Sequence, residues 1–450
     1  MDAADLDYRA RTQSGCIPPH LVSRLLELDH AEKVEFWAGH GEWFCAREWA
    51  RLLGEQGRQA EALEILAPYL ATGWWTATRT TAELLEIWGR ADEAIVLTRT
   101  CTELGHPLAL ESCARLLVRH GRSDEAFTLL QPHIDDWFLA AALVDVAEGA
   151  GRDEEAAELL AARIPDEHRC DTPWCCRGLG PDTAIGLLAT IRERQGRIDE
   201  AIALLRTRDA TSVNGRDQLA DLLARHGRTG ELRAYTAIER LGYAARRLAQ
   251  LLEERGDVEG AIAAYRQADE PAGYNPNSAV HLAQLLARHG RGNEAIEVMR
   301  HQADARNGDD WILHTLSDLY LDQGRPEDGL AHLDALAAAR GGEEDWDLFW
   351  IRLPLMAACD GADEAIERAR AHPEGGTSYA APHIAELLAG VGRTEEAVAV
   401  LRPHAPANSH DLAGYLIDLG CIEEAVAVLH QDKPRPPQPW TTAWSEEPPF

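Results

Sequence analysis

The sequence predicts an all-α chain of about twelve helix-turn-helix repeats, stacked as a right-handed superhelical α-solenoid. Three observations carry this. A short joint centred on glycine recurs along most of the 450 residues. The copies stand about 33 residues apart, the size of one helix pair. Apolar residues follow a helical period throughout, and no strand-like alternation competes.

The joint comes first. It reads "GRQAEA" at Gly57, "GRADEA" at Gly89, "GRSDEA" at Gly121 and "GRDEEA" at Gly151. It continues at Gly196, Gly227, Gly256, Gly290, Gly324, Asp360, Gly392 and Gly420. Taking that residue as the anchor, the eleven gaps cover 363 residues. Glycine holds the anchor in eleven of the twelve copies, and alanine stands five residues later in ten. Gly329 and Leu232 are the exceptions. Three copies share a longer form, "LLVRHGR" at Leu116–Arg122 and "LLARHGR" at Leu222–Arg228 and Leu285–Arg291. Its leucines read as core, its glycine as a helix end and its arginine as the start of the next helix. That makes it a hinge rather than an anion or metal site.

Each repeat then reads as two helices. Helix A precedes the anchor, with apolar or small residues eight, seven, five and four positions before it; Leu282, Ala283, Leu285 and Leu286 are one set. These lie on one stripe of a 3.6-residue helix. Glycine closes helix A because the left-handed conformation there suits a residue without Cβ. Helix B follows. Ser123, Asp153, Thr229 and Thr394 are expected as N-caps, and Pro326 in a first turn. Apolar pairs such as Leu129/Leu130, Leu204/Leu205 and Val400/Leu401 are expected to pack, and Pro68, Pro132 and Pro403 to end helix B. The small residue five past the anchor lets neighbouring helices approach closely.

Around this array the chain divides further. Residues 1–16 read as an N-terminal tail, 17–42 as a capping hairpin, and 43–430 as the repeats. The one long gap holds an insertion near 161–180, and 431–450 reads as an extended tail rich in proline, with Trp440 and Trp444. The tail reads as solvated, or as a linear motif docking on a solenoid. In the insertion, His168, Cys170, Cys175 and Cys176 could suggest zinc. The two adjacent cysteines point apart and no second pair is evident, so no metal is expected and the loop is read as packed by Trp174.

Composition bounds the partners. Net charge is −31, which repels phosphate backbones and disfavours nucleic acid or an anionic membrane. Almost all the basic charge is arginine, since only Lys33 and Lys433 are lysines. No apolar segment is long enough to span a bilayer and no secretory signal is visible at the start. Nine scattered cysteines read as reduced, buried residues of a cytoplasmic protein. No P-loop, H-E-x-x-H, G-x-S-x-G or dinucleotide-binding glycine motif occurs, so no catalytic residue and no cofactor is expected.

The spacing and the G-x-x-x-E-A joint resemble the tetratricopeptide repeat family, with Sel1-like repeats a close alternative. Ala283, Gly290 and Ala295 match the family's small helix A residue, turn glycine and early helix B alanine. The composition suggests a divergent member from a high-GC bacterium such as an actinomycete. The resemblance implies a non-catalytic scaffold or adaptor that binds a protein or peptide along the helix A face. A regulatory sensor responding to a ligand or peptide is the alternative, and an enzyme sited in the groove or insertion a third reading.

The expected binding positions lie ten and six residues before the anchor, four apart on one helix face. They are Arg47 and Arg51, Arg79 and Glu83, Glu111 and Arg115, Asp217 and Asp221, Arg246 and Gln250, and His314 and Asp318. The first three pairs are arginine-rich and suit an acidic peptide end; a merely solvated face is the other reading. Fourteen before the anchor stand Trp43, Trp75, Trp137 and Trp346, with Trp311 one step off. These read either as packing wedges between hairpins or as aromatic contacts for a partner.

Overall fold

The computed structural model describes residues 2–103, 106–164, 178–208, 212–213, 216–239, 241–269, 276–305, 310–339 and 346–431. His168, Cys170, Trp174, Cys175, Cys176 and the tail beyond Gln431 lie outside these residues. Among them are 27 α-helices and one two-residue antiparallel pairing, Ser212–Val213 with Arg216–Asp217. The described residues are essentially all-α and form successive helix-turn-helix pairs.

Two compact units divide it. One holds Met1–His133, Phe138–Gly151 and Thr377–Phe450; the other holds Ile134–Trp137 and Arg152–Gly376. In the first, helix pairs are Pro19–Glu27 with Ala31–Gly39, Trp43–Glu55 with Gln59–Leu70, Trp75–Ile87 with Ala91–Thr102, and Pro107–Arg119 with Ser123–Leu130. From the far end of the chain it adds Ala381–Gly390 with Thr394–Leu401, and Ser409–Asp418 with Ile422–Gln431. The second unit runs from Asp153–Ala161 and Pro181–Arg194 through the Gly196 to Asp360 repeats.

The joint is a chain-reversal device built from backbone chemistry. Gly290 adopts φ 73° just past helix A, and the Arg291 N–H donates to the Leu286 carbonyl at 2.8 Å. That bond satisfies a helix-end carbonyl that otherwise has no partner. The same bond recurs from Arg58 to Leu53, Arg122 to Leu117 and Cys421 to Leu416, each at 2.8 Å. All eleven anchor glycines have positive φ. In the remaining repeat the left-handed residue is Gly361, with φ 94°, one position after Asp360.

Packing follows the expected stripe. Leu282, Ala283, Leu285 and Leu286 are all buried, and the residue five past the anchor is buried in every repeat. At Gly329 an added Cβ would stand 2.9 Å from the Tyr320 ring, so the neighbouring helix leaves no room there. Of the apolar pairs in helix B, Leu130, Leu205 and Leu401 face the core, while Leu129, Leu204 and Val400 are half-buried.

Several expectations need correction. Ser123, Asp153, Thr229 and Thr394 are the first helical residues and not the caps. The cap position belongs to the preceding arginine, which makes no side-chain cap bond. It pairs instead with the acidic residue three positions on, so that carboxylate lies in the first turn, where the helix dipole favours it. Pro68 sits inside Gln59–Leu70 rather than ending it. Pro132 and Pro403 do mark the change from α-helix to a short 3-10 turn. Residues 3–12, read as tail, form a helix capped by Asp2, whose carboxylate accepts from the Asp5 N–H at 2.8 Å. Its one buried side chain is Leu6.

Candidate partner-binding face

The charged residues of the joint are committed to one another. All nine arginines that follow an anchor glycine pair with the acid three residues on; Arg90 to Glu93 and Arg152 to Glu155 each measure 2.7 Å. Several also reach the preceding repeat: Arg228 bonds Asp199 at 2.7 Å and Arg291 bonds Glu259 at 2.6 Å. The acid three past one anchor thus meets the arginine one past the next, which ties repeat to repeat in fixed register.

The three long copies add a second tie. Arg119 and His120 both bond Glu86 of the preceding helix A, at 2.7 and 3.0 Å. Arg225 and His226 hold Glu193, both at 2.9 Å, and Arg288 and His289 hold Glu253, both at 2.9 Å. Hydrogen bonds from Arg119 and then His120 hold the Glu86 carboxyl below its ordinary range. Arg288 and His289 do the same to Glu253. At Glu193 burial raises the carboxyl, but Arg225 and His226 outweigh it and the net direction is down. The hinge reading missed these acceptors. The signal was present: each Arg-His pair follows a repeat with glutamate three positions before its anchor.

What varies from repeat to repeat is the column ten and six before the anchor. In the first unit, Arg47 bonds Glu48 at 2.9 Å, and its guanidinium lies 5.4 Å from the centre of the Phe44 ring. Arg51 bonds Glu48 at 3.0 Å and also pairs with Glu55. Arg79 meets Glu83 at 3.4 Å. Arg115 pairs with Glu111 and reaches Asp145 of the next helix A at 3.6 Å. The arginines are therefore solvent-facing but matched by carboxylates.

In the second unit, Asp217 is buried and caps Gln218–Arg225, accepting from the Ala220 N–H and the Tyr235 hydroxyl at 2.8 Å each. It is a structural group. Asp221 bonds Arg247 of the next helix A at 3.2 Å. Arg246 lies 6.0 Å from the Tyr243 ring centre, and Gln250, one turn on, is exposed. The His314 ring stands edge-on to Trp350 at 4.5 Å, with Asp318 exposed one turn later. At Arg115, Asp221 and His314 the column thus touches the next helix A through polar and aromatic groups.

The tryptophans do not share one environment. Trp43 is 5% exposed, wedged against Tyr69 and Trp74 with ring centres 5.0 and 4.8 Å apart. Trp346 is 1% exposed, against Phe349 and His372. Both are packing groups, because a partner could reach neither without unpacking the core. Trp75 is half-buried beside His106. Trp137 is 59% exposed and Trp311 is 41% exposed, so each presents much of its surface to solvent.

Helix pairs joined at left-handed glycines and linked by arginine–carboxylate ties recur within each unit. No family model matches the chain and no curated protein matches it. Among solved structures, the chain is similar to "Naa15/Naa10 bound to HypK-THB" at 15% identity and a TM-score of 0.46, covering 91% of this chain and 67% of that one. A tetratricopeptide repeat protein from Parabacteroides merdae aligns at 16% identity and a TM-score of 0.29, over 65% of this chain and 98% of that one. Yeast Tom70 aligns at 12% identity and a TM-score of 0.29, over 79% and 96% of the two chains.

Proposed function

We propose that this chain is a non-catalytic scaffold whose helix A face binds a protein or peptide partner. The observation that carries this is a division of labour. The repeated residues are spent on packing and on ties between repeats, while the column ten and six before the anchor differs in every repeat and is polar at both positions in six of the twelve. A surface that only had to be solvated would not need Tyr243 and Trp350 beside its arginine and histidine. In the first unit the binding residues are Arg47, Arg51, Arg79, Glu83 and Arg115, with Trp75 at the edge. In the second they are Asp221, Arg246, Gln250, His314 and Asp318, and the exposed Trp137 belongs with the same role.

The matched carboxylates set the mode of recognition. Arg79 and Arg115 are exposed and their ion pairs are worth less than about 1 kcal/mol each. An acidic peptide end can displace them at small cost. A cytoplasmic setting accords with the six free cysteines among the described residues. Burial pushes the Cys16 thiol up to about 12, which keeps it inert. Among the described residues no helix is long and apolar enough to cross a membrane.

The test is an array of peptides with acidic and neutral C-termini, probed with the native chain and with the triple variant Arg47→Glu, Arg79→Glu, Arg115→Glu. Circular dichroism first establishes that the variant folds. Binding of acidic peptides by the native chain, lost in the variant and weakened by salt, supports the reading. Equal binding by both chains overturns it.

A further inference from the structure

Within the first unit, the hairpin of Pro19–Glu27 and Ala31–Gly39 touches two repeats that are far apart in sequence. It precedes the Gly57 repeat, and Pro19–Glu27 packs beside Trp43–Glu55. It also packs beside Ser409–Asp418, helix A of the last repeat. We propose that this hairpin is a joining repeat, serving at once as the repeat before the first and the repeat after the last.

Its own joint supports this. Asp29 adopts φ 62°, one of two non-glycine residues with positive φ among those described. The His30 N–H donates to the Leu25 carbonyl at 2.9 Å, the same bond that closes helix A in ten of the twelve repeats. Asp29 thus stands at the anchor, Val34 takes the buried place five residues on, and Leu21, Val22 and Leu25 form the buried stripe.

The docking register is that of a next repeat. His410 and Gly414 lie ten and six before Gly420, in the column where other A helices meet their successors. The His20 and His410 rings are 6.1 Å apart, and His410 donates to the Gln13 carbonyl at 3.1 Å. A Cβ at Gly414 would stand 3.6 Å from Leu21. Glu423 lies three past the last anchor, where acids elsewhere take an arginine from the following repeat; here Lys33 of the hairpin pairs with it. Arg24 bonds Asp418 at 2.7 Å. Glu42, only 5% exposed, receives the Ile17 N–H at 3.0 Å and His430 of the last helix at 2.9 Å. So the carboxylate at the hairpin's exit also holds the far end of the chain.

Among the described residues, one element therefore packs on both the first and the last repeat. This conclusion does not depend on what the helix A face binds. It is tested with a zero-length carbodiimide on the full chain. Lys33 and Lys433 are the only lysines, so the linked peptide is simple to assign by mass spectrometry. A Lys33–Glu423 link in the monomer is expected. Its absence, or its presence only in dimers, overturns the proposal. A second measurement uses Gly414→Leu, whose side chain must push Leu21 away. Hydrogen exchange is expected to rise together in residues 19–39 and 409–431. A rise confined to 409–431 would show that the hairpin belongs to the first repeat alone.

Discussion

At Gly290 a single atom decides the fold's turning point. The glycine holds φ 73°, and a Cβ there would meet nothing within 4 Å. The cost of Gly290→Ala is therefore conformational rather than steric, about 1–2 kcal/mol, read from a urea unfolding midpoint. Glu253 makes a different case. Arg288 and His289 hold its carboxyl below the ordinary value in the folded chain. A depressed folded value means that the stabilisation is present above the unfolded value and is lost as pH falls through the folded one. Glu253→Gln should destabilise the chain at pH 7, and the gap from the native chain should shrink below about pH 4, measured as unfolding midpoints across pH. The glycine was legible from its spacing alone. The glutamate was not, because its two donors stand 35 and 36 residues away and only stacking brings them together.

At the scale of a helix pair, the buried residue five past the anchor sets how closely neighbours approach. Ala295 has no exposed surface. Ala295→Leu should cost about 1–3 kcal/mol by overpacking, seen in the same unfolding assay, while Ala295→Gly should cost less. The apolar stripe and its period were readable because one helix face must be buried whatever it packs against. The caps were misread for a local reason. Ser, Thr and Asp favour caps, but here the glycine joint already places the arginine at that position, and its carboxylate partner follows within one turn. The tryptophan column was legible as a column and not as a surface. Trp43 and Trp346 share a register with Trp137, yet the first two meet Tyr69 and Phe349 and the third is turned to solvent.

At the scale of the whole molecule, the first hairpin and the last repeat belong to one compact unit. A circular permutant starting at residue 43, with 1–42 joined after 450 by a flexible linker, should fold and keep the Lys33–Glu423 link. Deleting 1–42 should expose the faces now covered by Leu21 and Leu25, and the truncated chain should self-associate, read by sedimentation. Sequence by itself determined the repeat, its period, its joint and the residues of its core, because each is dictated by local backbone geometry and by the need to bury one stripe. Only the tertiary structure decided which tryptophans are buried, which glutamates accept the Arg-His pairs, and that the first hairpin meets the last repeat. Those outcomes depend on contacts between residues tens to hundreds of positions apart, as with Arg24 and Asp418, and no periodicity along the chain encodes them.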